Sequence, residues 1–286
     1  MSHRNVQELM KKHAISIKKK YGQNFLLDKN ILMKIVNTAS IDEETLVIEI
    51  GPGLGSLTEY LVAQAKHVLA YEIDTQLIPV LQESFQNQRV TLIHDDILKR
   101  NIDDDINELN ETFSKVIVVA NLPYYITTAI LMKCLEESQR IDTMIVMMQY
   151  EVARRITASR QTKDYNALSV AIQYRAKTTL AFKVPRSVFL PPPNVDSAVV
   201  VLDYYQTPPV PIANEAYFFQ FIKACFRQRR KTILNNLSLA LEMDKEHLRE
   251  HLIECKIQPE QRAETLSLED FSRLANYFFQ LNEVNR

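Results

Sequence analysis

The chain has few residues of several kinds, and each scarcity narrows what the protein can be. Its 286 residues include four glycines, three cysteines and no tryptophan, whereas average usage of about 7% would give roughly 20 glycines. The cysteines have neither the even count of a disulfide framework nor the spacing of metal ligands, which favours a reducing compartment. The N-terminus lacks the apolar core of a secretory signal, and no apolar run approaches membrane-spanning length. We therefore expect a cytoplasmic protein without a membrane partner.

Net charge is also nearly absent, because 34 basic side chains stand against 35 acidic ones. The charges are unevenly distributed, however. Residues 1–22 carry six basic side chains and one acid, residues 154–186 carry eight and one, and residues 223–231 carry five and none. This segregation predicts one basic surface suited to a polyanion such as nucleic acid, although several solvated helix faces would give the same pattern.

Apolar runs of strand length alternate with helical patterns through the first 150 residues. Val116–Ala120 is apolar on both faces, as buried parallel strands are. The alternation predicts a doubly wound α/β sheet. The predicted strands are Leu46–Ile50, His67–Ile73, Val90–His94, Val116–Ala120 and Met144–Met148, with Thr179–Val184 and Ser197–Tyr204 closing the sheet.

The pattern changes at the proline-rich stretch 207–211, which is typical of a stiff linker. After it, helical patterns cover Glu215–Cys225, Arg230–Glu242, Lys245–Cys255 and Leu268–Leu281. We predict a first domain over residues 1–206 and a small all-α domain over residues 207–286. The basic tail, residues 1–22, is expected to be mobile in the free protein.

Three of the four glycines, Gly51, Gly53 and Gly55, fall between an apolar run and a helical pattern. Glycine lets the backbone approach a ligand closely and adopt positive φ, and the amides of a following helix face such a turn. The cluster therefore predicts a nucleotide-type pocket. The dinucleotide fingerprint requires a third glycine where Ser56 stands, so an NAD-dependent reductase is the weaker alternative.

Two carboxylates, one at the end of the second strand and one after the third, suit a nucleoside ligand. Glu72 lies 21 residues after Gly51 and could accept both hydroxyl protons of a ribose. Asp96 could accept a proton from the exocyclic amine of adenine. Capping of the turn after its strand is the alternative for Asp96.

The segment Asn121-Leu-Pro-Tyr-Tyr125 follows the fourth strand, at the edge where open α/β sheets bind ligands. The exocyclic nitrogen of adenine is a poor nucleophile because its lone pair is delocalised into the ring. The amide oxygen of Asn121 and the carbonyl of Pro123 could each accept one of its N–H bonds, which favours a pyramidal nitrogen. Tyr124 could stack on the base, and we assign Tyr125 to the core. A tight β–turn–α junction is the alternative for the whole segment.

The ordered set of motifs resembles the adenine-N6 methyltransferases that use S-adenosylmethionine. More narrowly, it is similar to the bacterial small-subunit (16S) ribosomal RNA adenine dimethyltransferases of the KsgA type. The resemblance covers almost the whole chain. It is carried by Tyr21–Leu26, Glu49–Thr58, Tyr71–Asp74, Asp96–Leu98, Asn121–Tyr125, Phe189–Ser197 and Phe226–Thr232.

The resemblance implies a class I methyltransferase fold, a Rossmann-like seven-stranded sheet followed by the small all-α domain. It implies S-adenosylmethionine as cofactor and two methyl groups on N6 of each of two adjacent adenosines near the 3′ end of 16S rRNA. A role in small-subunit biogenesis is expected, and we expect a monomer. The implied cofactor contacts are Asn24, Leu26, Gly51, Glu72, Asp96 and Asn121, to which we add Gly53 and Gly55 of the turn.

Other side chains receive roles within this interpretation. Phe189 is expected to sandwich the target base with Tyr124, or else to be a hydrophobic plug. Lys18–Lys20 could form a lid over the cofactor. No metal is expected, because the sulfonium methyl is already an activated electrophile. The residues expected to contact RNA phosphates, unless some pair with acids, are Arg154, Arg155, Arg227, Arg229, Arg230 and Lys231, the last four at the start of a helix.

Three other functions stay open on the sequence alone. They are a DNA adenine methyltransferase, a large-subunit rRNA methyltransferase of the antibiotic-resistance type, and a non-catalytic assembly or transcription factor on the same fold. Leu122 favours the small-subunit family, since the resistance enzymes often carry isoleucine there.

Overall fold

The computed structural model of the chain describes residues 3–18 and 21–284. Of the three lysines expected to form a lid, Lys19 and Lys20 lie outside these residues. The strands are β1 (Phe25–Leu26), β2 (Thr45–Ile50), β3 (His67–Tyr71), β4 (Val90–Ile93), β5 (Lys115–Asn121), β6 (Thr143–Gln149), β7 (Ala176–Val184), β8 (Phe189–Leu190) and β9 (Ser197–Tyr204).

Within the described residues, seven strands form one sheet in the order β4-β3-β2-β5-β6-β9-β7. The pairs from β4 to β6 are parallel, and β9 runs antiparallel to β6. Every residue of β2 is buried, as expected for a central strand with both faces covered. The predicted doubly wound α/β sheet is confirmed, including the two late strands that close it.

The four helices predicted after the proline-rich stretch are all present, although the second begins three residues later than predicted. The helices are α1 (His3–Lys12), α2 (Lys29–Ala39), α3 (Thr58–Val62), α4 (Ile78–Ser84), α5 (Ile102–Glu108), α6 (Thr127–Glu137), α7 (Tyr150–Ile156), α8 (Ala167–Arg175), α9 (Glu215–Cys225), α10 (Ile233–Ala240), α11 (Lys245–Glu254) and α12 (Leu268–Val284). No described helix has both the length and the apolar character needed to cross a bilayer.

The order of the strands creates a crevice beside β2. The chain continues from β2 to β3 on one side, and the later strand β5 pairs with β2 on the other side. The connections that leave β2 and β5 therefore diverge at the carboxyl ends of the strands. In open α/β sheets this is the point where ligands bind.

A small second sheet was not predicted from the sequence. β1 and β8 pair antiparallel, so that Leu26 lies opposite Phe189. The two strands are separated by more than 160 residues, and each contains only two residues. Their pairing fixes the segment before β1 at the edge of the crevice, where Tyr21, Gly22, Gln23 and Asn24 line a cavity.

The N-terminal tail is more ordered than predicted in its described part. Residues 3–12 form α1, and Val6 is only 1% exposed. Val6 and Ile15 belong to an apolar cluster with Phe25, Leu54 and Leu77. The expectation of a mobile tail over residues 1–22 is therefore wrong for this part, because two apolar side chains among the lysines hold it to the core.

The chain forms two compact units. One comprises residues 1–153 and 177–204, and the other comprises residues 154–176 and 205–286. The second unit has its own aromatic core, in which Phe218, Phe271 and Phe278 are each at most 1% exposed. The predicted domain boundary at 206/207 stays a prediction, and the compact units differ from it by taking residues 154–176, with α8, into the helical unit.

Candidate active site

A cavity opens at the carboxyl ends of β2, β3 and β5 and contains most of the predicted site residues. Its lining includes Asn24, Leu26, Gly51, Gly53, Glu72, Asp96, Asn121, Pro123 and Tyr124. Of the predicted catalytic and cofactor residues, Gly55 and Phe189 are not part of the lining. The cavity therefore brings together residues that are up to 100 positions apart in the sequence.

The glycine turn needs its glycines for two different reasons. Gly51 has φ of +71°, and a Cβ built on it would meet nothing within 4 Å. The space beside Gly51 is therefore free for a ligand to approach the backbone. Gly55 has φ of +79°, and a Cβ there would lie 2.6 Å from the Phe85 ring. Packing against Phe85 and positive φ explain Gly55 without any ligand contact.

Glu72 is buried and bonded to the glycine turn. Its side chain accepts hydrogen bonds from the amide of Gly53 at 3.1 Å and from the amide of Asp74 at 2.8 Å. Burial raises the pKa of Glu72 to about 7, and these hydrogen bonds offset only part of that rise. Each carboxylate oxygen can accept a further bond, which suits a ligand with two hydroxyl donors.

Glu49 is a residue of the cavity for which the sequence predicted no role. It lines the cavity, is 2% exposed, and its Oε2 atom has no hydrogen-bond partner within the described residues. Burial raises the pKa of Glu49 to about 8. The feature of the sequence that could have identified Glu49 as a site residue is an acidic side chain within the apolar strand β2. A buried carboxyl oxygen without a partner indicates that the bound ligand supplies a polar partner here.

Asp96 caps a turn and also lines the cavity. Its Oδ1 atom accepts a hydrogen bond from the amide of Leu98 at 3.0 Å, so the predicted turn cap is confirmed. A carboxylate has a second oxygen, so capping does not exclude a contact with a ligand amine.

The amide of Asn121 has a defined orientation at the end of β5. Its Nδ2 donates a hydrogen bond to the backbone oxygen of Asn24 at 3.0 Å. A carbonyl oxygen can only accept, so the nitrogen of the amide must face Asn24. Oδ1 is therefore the part of the side chain that can accept a bond from a ligand.

The carbonyl of Pro123 is less available than predicted. It accepts hydrogen bonds from the Thr127 hydroxyl at 2.9 Å and from the amide of Ile126 at 3.2 Å. These bonds use both lone pairs of the oxygen, because the segment turns directly into α6. The carbonyl of Leu122, which also lines the cavity, receives no such bond from the described residues.

Comparison with known proteins identifies the family. The profile of the family described as "Ribosomal RNA adenine dimethylase" matches residues 14–280. The chain belongs to this family. Its relatives include "Ribosomal RNA small subunit methyltransferase A" of Enterococcus faecalis, 49% identical over 94% of this chain and 93% of the relative. The protein of the same name from Bacillus pumilus is 47% identical over 94% of both chains.

Solved structures agree with this assignment. A dimethyladenosine transferase from Plasmodium falciparum aligns with a TM-score of 0.73 and 25% identity over 91% of this chain and 98% of that one. The 23S rRNA methyltransferase ErmE aligns with a TM-score of 0.67 and 27% identity over 90% of this chain and all of that one. The predicted class I methyltransferase fold is confirmed. The chain is an S-adenosylmethionine-dependent rRNA adenine dimethyltransferase.

The cavity of this adenine dimethyltransferase fits its cofactor on two structural observations. Open space beside Gly51 lets a ligand reach the backbone, and Oε2 of Glu49 has no hydrogen-bond partner within the described residues. Glu72 adds a buried carboxylate whose oxygens can each accept a further hydrogen bond. No group of three or more potential metal ligands occurs in the part of the chain that the structure describes.

Tyr124 and Phe189, which were expected at the target base, and Tyr125, which was assigned to the core, have different environments. The hydroxyl of Tyr124 bonds to Oγ of the fully buried Ser197 at 2.7 Å, which anchors the ring at the cavity. Tyr125 is 58% exposed, so its assignment to the core is wrong. Phe189 is 4% exposed in a core cluster with Leu26. The structure thus gives Phe189 the position of a hydrophobic plug, and a stacking role would require it to leave this core.

The basic cluster of the helical unit lies in a connection and not at the start of a helix. Residues 226–232 form turns between α9 and α10, since α10 begins only at Ile233 after its Thr232 cap. Arg229 contacts Glu264 at 3.3 Å, while Arg227, Arg230 and Lys231 are exposed and have no acidic partner among the described residues. Arg154 pairs with Asp164, and Arg155 is exposed.

We expect the affinity for S-adenosylmethionine to fall as the pH drops below about 7. The pKa of Glu72 is raised to about 7, so the carboxyl gains its proton in this range and loses one of its acceptor sites. The dissociation constant should rise by up to about tenfold per pH unit below the pKa. Calorimetry between pH 5.5 and 8.5 at constant ionic strength measures this dependence.

Two variants show whether Glu72 is the group responsible. Glu72→Gln should bind the cofactor weakly and lose this pH dependence, because its side chain does not titrate. Glu49→Gln should keep the dependence below pH 7, because Glu49 titrates nearer pH 8. A wild-type affinity that is constant across the range would exclude an ionised Glu72 as the ribose acceptor.

Proposed function

We propose that the protein transfers two methyl groups to N6 of each of two adjacent adenosines near the 3′ end of 16S rRNA. The substrate is the small ribosomal subunit or its precursor. The observation that carries the chemistry is the orientation of Asn121, whose amide oxygen is left to accept at the same cavity that contains Glu72. The names of the relatives that are 47–49% identical support the small subunit as the target.

The reaction forms a bond from N6 to a methyl carbon while the bond from that carbon to sulfur breaks. S-adenosylmethionine supplies the activated methyl group when it is bound. The protein has to align N6 with that carbon and the departing sulfur. Oδ1 of Asn121 accepts one N–H of the amine, and because the Pro123 carbonyl is engaged, the Leu122 carbonyl is the second acceptor that we propose.

These acceptors also stabilise the charge that develops during transfer. Positive charge builds on N6 as the new bond forms, and two oxygens fixed beside it lower the energy of that state. The methylated amine then releases its proton readily, so no strong general base is needed. A second transfer to the same nitrogen requires space for the first methyl group and a fresh cofactor.

The target adenine must leave its stack to reach the cavity. Tyr124 is the ring best placed to receive it, because its hydroxyl is anchored to Ser197 and its residue lines the cavity. Stacking on an aromatic side chain contributes about 1–3 kcal/mol per base. We assign no stacking role to Phe189 in the described conformation.

A large-subunit target is the second candidate, since the fold also matches the 23S rRNA methyltransferase ErmE. That match is 27% identical, whereas the small-subunit relatives are 47–49% identical over 94% of the chain. Transfer of labelled methyl groups to unmethylated small subunits, large-subunit rRNA and naked DNA separates these functions. Labelling of the small subunit at two adjacent adenosines supports the proposal, and labelling of another substrate contradicts it.

The same experiment tests the non-catalytic alternative. A ribosome-assembly factor without activity would bind small subunits and transfer no label.

The proposal includes action as a monomer in the cytoplasm, which sedimentation of the purified protein and fractionation of cells would test.

The turn that connects α9 and α10 should contribute to binding of the ribosomal RNA. Arg229→Glu combined with Arg230→Glu is expected to weaken RNA binding by about tenfold or more at moderate salt and to flatten its salt dependence. Each lost phosphate contact lowers the slope of log affinity against log salt by about 0.7–0.9. Filter binding between 50 and 300 mM salt measures both effects.

A matched control comes from another exposed basic pair in the same unit. Arg249 is ion-paired with Glu260, as Arg229 is with Glu264, and Lys245 is exposed like Arg230. The double variant Lys245→Glu, Arg249→Glu therefore changes net charge equally. Equal losses of RNA affinity in the two double variants would show that only net charge affects binding. The 226–232 turn would then not be part of the surface that binds RNA.

A further inference from the structure

Asp74 is a completely buried carboxylate outside the cavity lining. Its Oδ1 atom accepts a hydrogen bond from Nζ of Lys18 at 2.5 Å, and its Oδ2 atom accepts one from Nε2 of Gln23 at 2.7 Å. Burial would raise the pKa of this carboxyl, yet the bonds from Lys18, from a backbone amide and from Gln23 lower it below its ordinary value. Asp74 is therefore an ionised anchor for the chain segment that precedes β1.

The segment held by Asp74 is short and tightly connected. We call residues 21–24 the strap. The backbone amide of Lys18 donates to Oε1 of Gln23 at 2.8 Å, so both ends of the Gln23 amide are used. Gly22 has φ of +59°, and a Cβ there would lie 3.3 Å from the ring of Tyr125. The strap thus passes close to the segment that follows β5.

The last residue of the strap determines the orientation of Asn121. The backbone oxygen of Asn24 accepts the hydrogen bond from Nδ2 of Asn121 at 3.0 Å. If Asn24 moved away, the amide of Asn121 would lose the partner that distinguishes its nitrogen from its oxygen. Nothing in the Asn121 side chain itself selects the orientation in which oxygen is presented to an amine.

The structure assigns Lys18, Asp74 and Gln23 as positioning residues that act through Asn24 to present the amide oxygen of Asn121 to the substrate amine. This inference rests on the proposed role of Asn121. The ion pair between Lys18 and Asp74 holds the strap, the strap holds the Asn24 carbonyl, and the carbonyl selects the productive amide orientation. Lys18 does not line the cavity, so its effect on catalysis is indirect.

The first measurement is steady-state kinetics of Lys18→Met and Asp74→Asn. Both variants break the buried ion pair, and asparagine keeps the size of Asp74 and its ability to accept from the Gln76 amide. We expect kcat to fall between about 10-fold and 100-fold, the scale of a small misplacement caused from outside the reacting centre. KM for S-adenosylmethionine should rise by no more than a few-fold, because the Glu72 contacts are retained and, of the expected cofactor contacts, only Asn24 belongs to the strap.

A control lysine lies on the same N-terminal segment. Lys12 pairs with Glu83 at the surface, and both side chains are more than half exposed. Lys12→Met removes the same charge from the same part of the chain and should leave kcat within about twofold, since exposed ion pairs contribute little. Circular dichroism and the melting temperature give the folded fraction by which each kcat is corrected.

The decisive measurement is a double-mutant cycle with Asn121→Ala. If the strap acts through Asn121, Lys18→Met and Asp74→Asn should have less than about a twofold effect on kcat when Asn121 is already alanine. A general structural role predicts instead that the losses multiply in the double variants.

Each outcome decides the inference. Full activity of both Lys18→Met and Asp74→Asn would overturn it, and so would losses that multiply with that of Asn121→Ala. Near-normal kcat of Asn121→Ala by itself would remove the proposed role of Asn121, and the inference with it. A large fall in kcat of Asn121→Ala, together with further falls in kcat when Lys18→Met or Asp74→Asn is added, would leave the proposed function intact. It would reject only the positioning role of the strap.

Discussion

Replacing Asn121 with alanine is expected to lower kcat for methyl transfer by about 100-fold or more. The variant loses the oxygen that we propose as acceptor for an N–H of the adenine amine, and removal of one such oriented group typically costs about 10²–10³ in rate. Binding of S-adenosylmethionine should change only a few-fold, because Glu72 and the glycine turn keep their contacts.

Single-turnover transfer of labelled methyl to small subunits measures this rate without interference from product release. Calorimetry with the same variant measures the affinity for S-adenosylmethionine. Near-normal transfer would show that Asn121 does not accept from the amine. A large loss of cofactor affinity with a normal rate at saturation would assign Asn121 to cofactor binding alone.

The second large effect is expected for Tyr124→Ala. Stacking of an extruded base contributes about 1–3 kcal/mol, which corresponds to a decrease in kcat/KM for RNA of about 5-fold to 150-fold. Tyr124→Phe keeps the ring and loses only the hydrogen bond to Ser197. We expect that variant to stay within about threefold of the wild type, since a single neutral hydrogen bond contributes about 0.5–1.5 kcal/mol.

Tyr205→Ala is the control for removing a partly exposed tyrosine, because Tyr205 is 41% exposed and belongs to the helical unit. It should leave kcat/KM unchanged. Equal losses in Tyr124→Ala and Tyr124→Phe would show that the hydroxyl, and not the ring, carries the function of Tyr124. The hydrogen bond to Ser197 would then be the catalytic requirement.

Local patterns were sufficient for the main sheet because each buried strand is an apolar run bounded by polar residues. The predicted and observed bounds of β9 are identical. The observed β2 begins one residue earlier than predicted, and β5 and β6 each extend one residue further at both ends. The glycine turn could also be predicted, because glycine is so rare elsewhere in the chain. These features depend on sequence neighbours, which is the information that a single sequence contains.

The errors arise where contacts join distant segments. The burial of Phe189 depends on the pairing of β1 with β8, two-residue strands without a periodicity of their own. The engagement of the Pro123 carbonyl depends on how early α6 begins. Glu49 had a visible signal, a carboxylate within an apolar strand, but only the structure shows that one of its oxygens has no partner.

The scarcity of glycine also affects the unfolded chain. All four glycines have positive φ in the folded protein, between +59° and +79°, so none is placed where another residue would serve equally well. Replacement of glycine by alanine, at a position whose backbone conformation alanine can adopt, stabilises a protein by about 0.4–1 kcal/mol because it lowers the conformational entropy of the unfolded state. A chain that keeps glycine only at left-handed positions therefore loses less conformational entropy on folding, and part of its stability resides in a denatured state with fewer conformations.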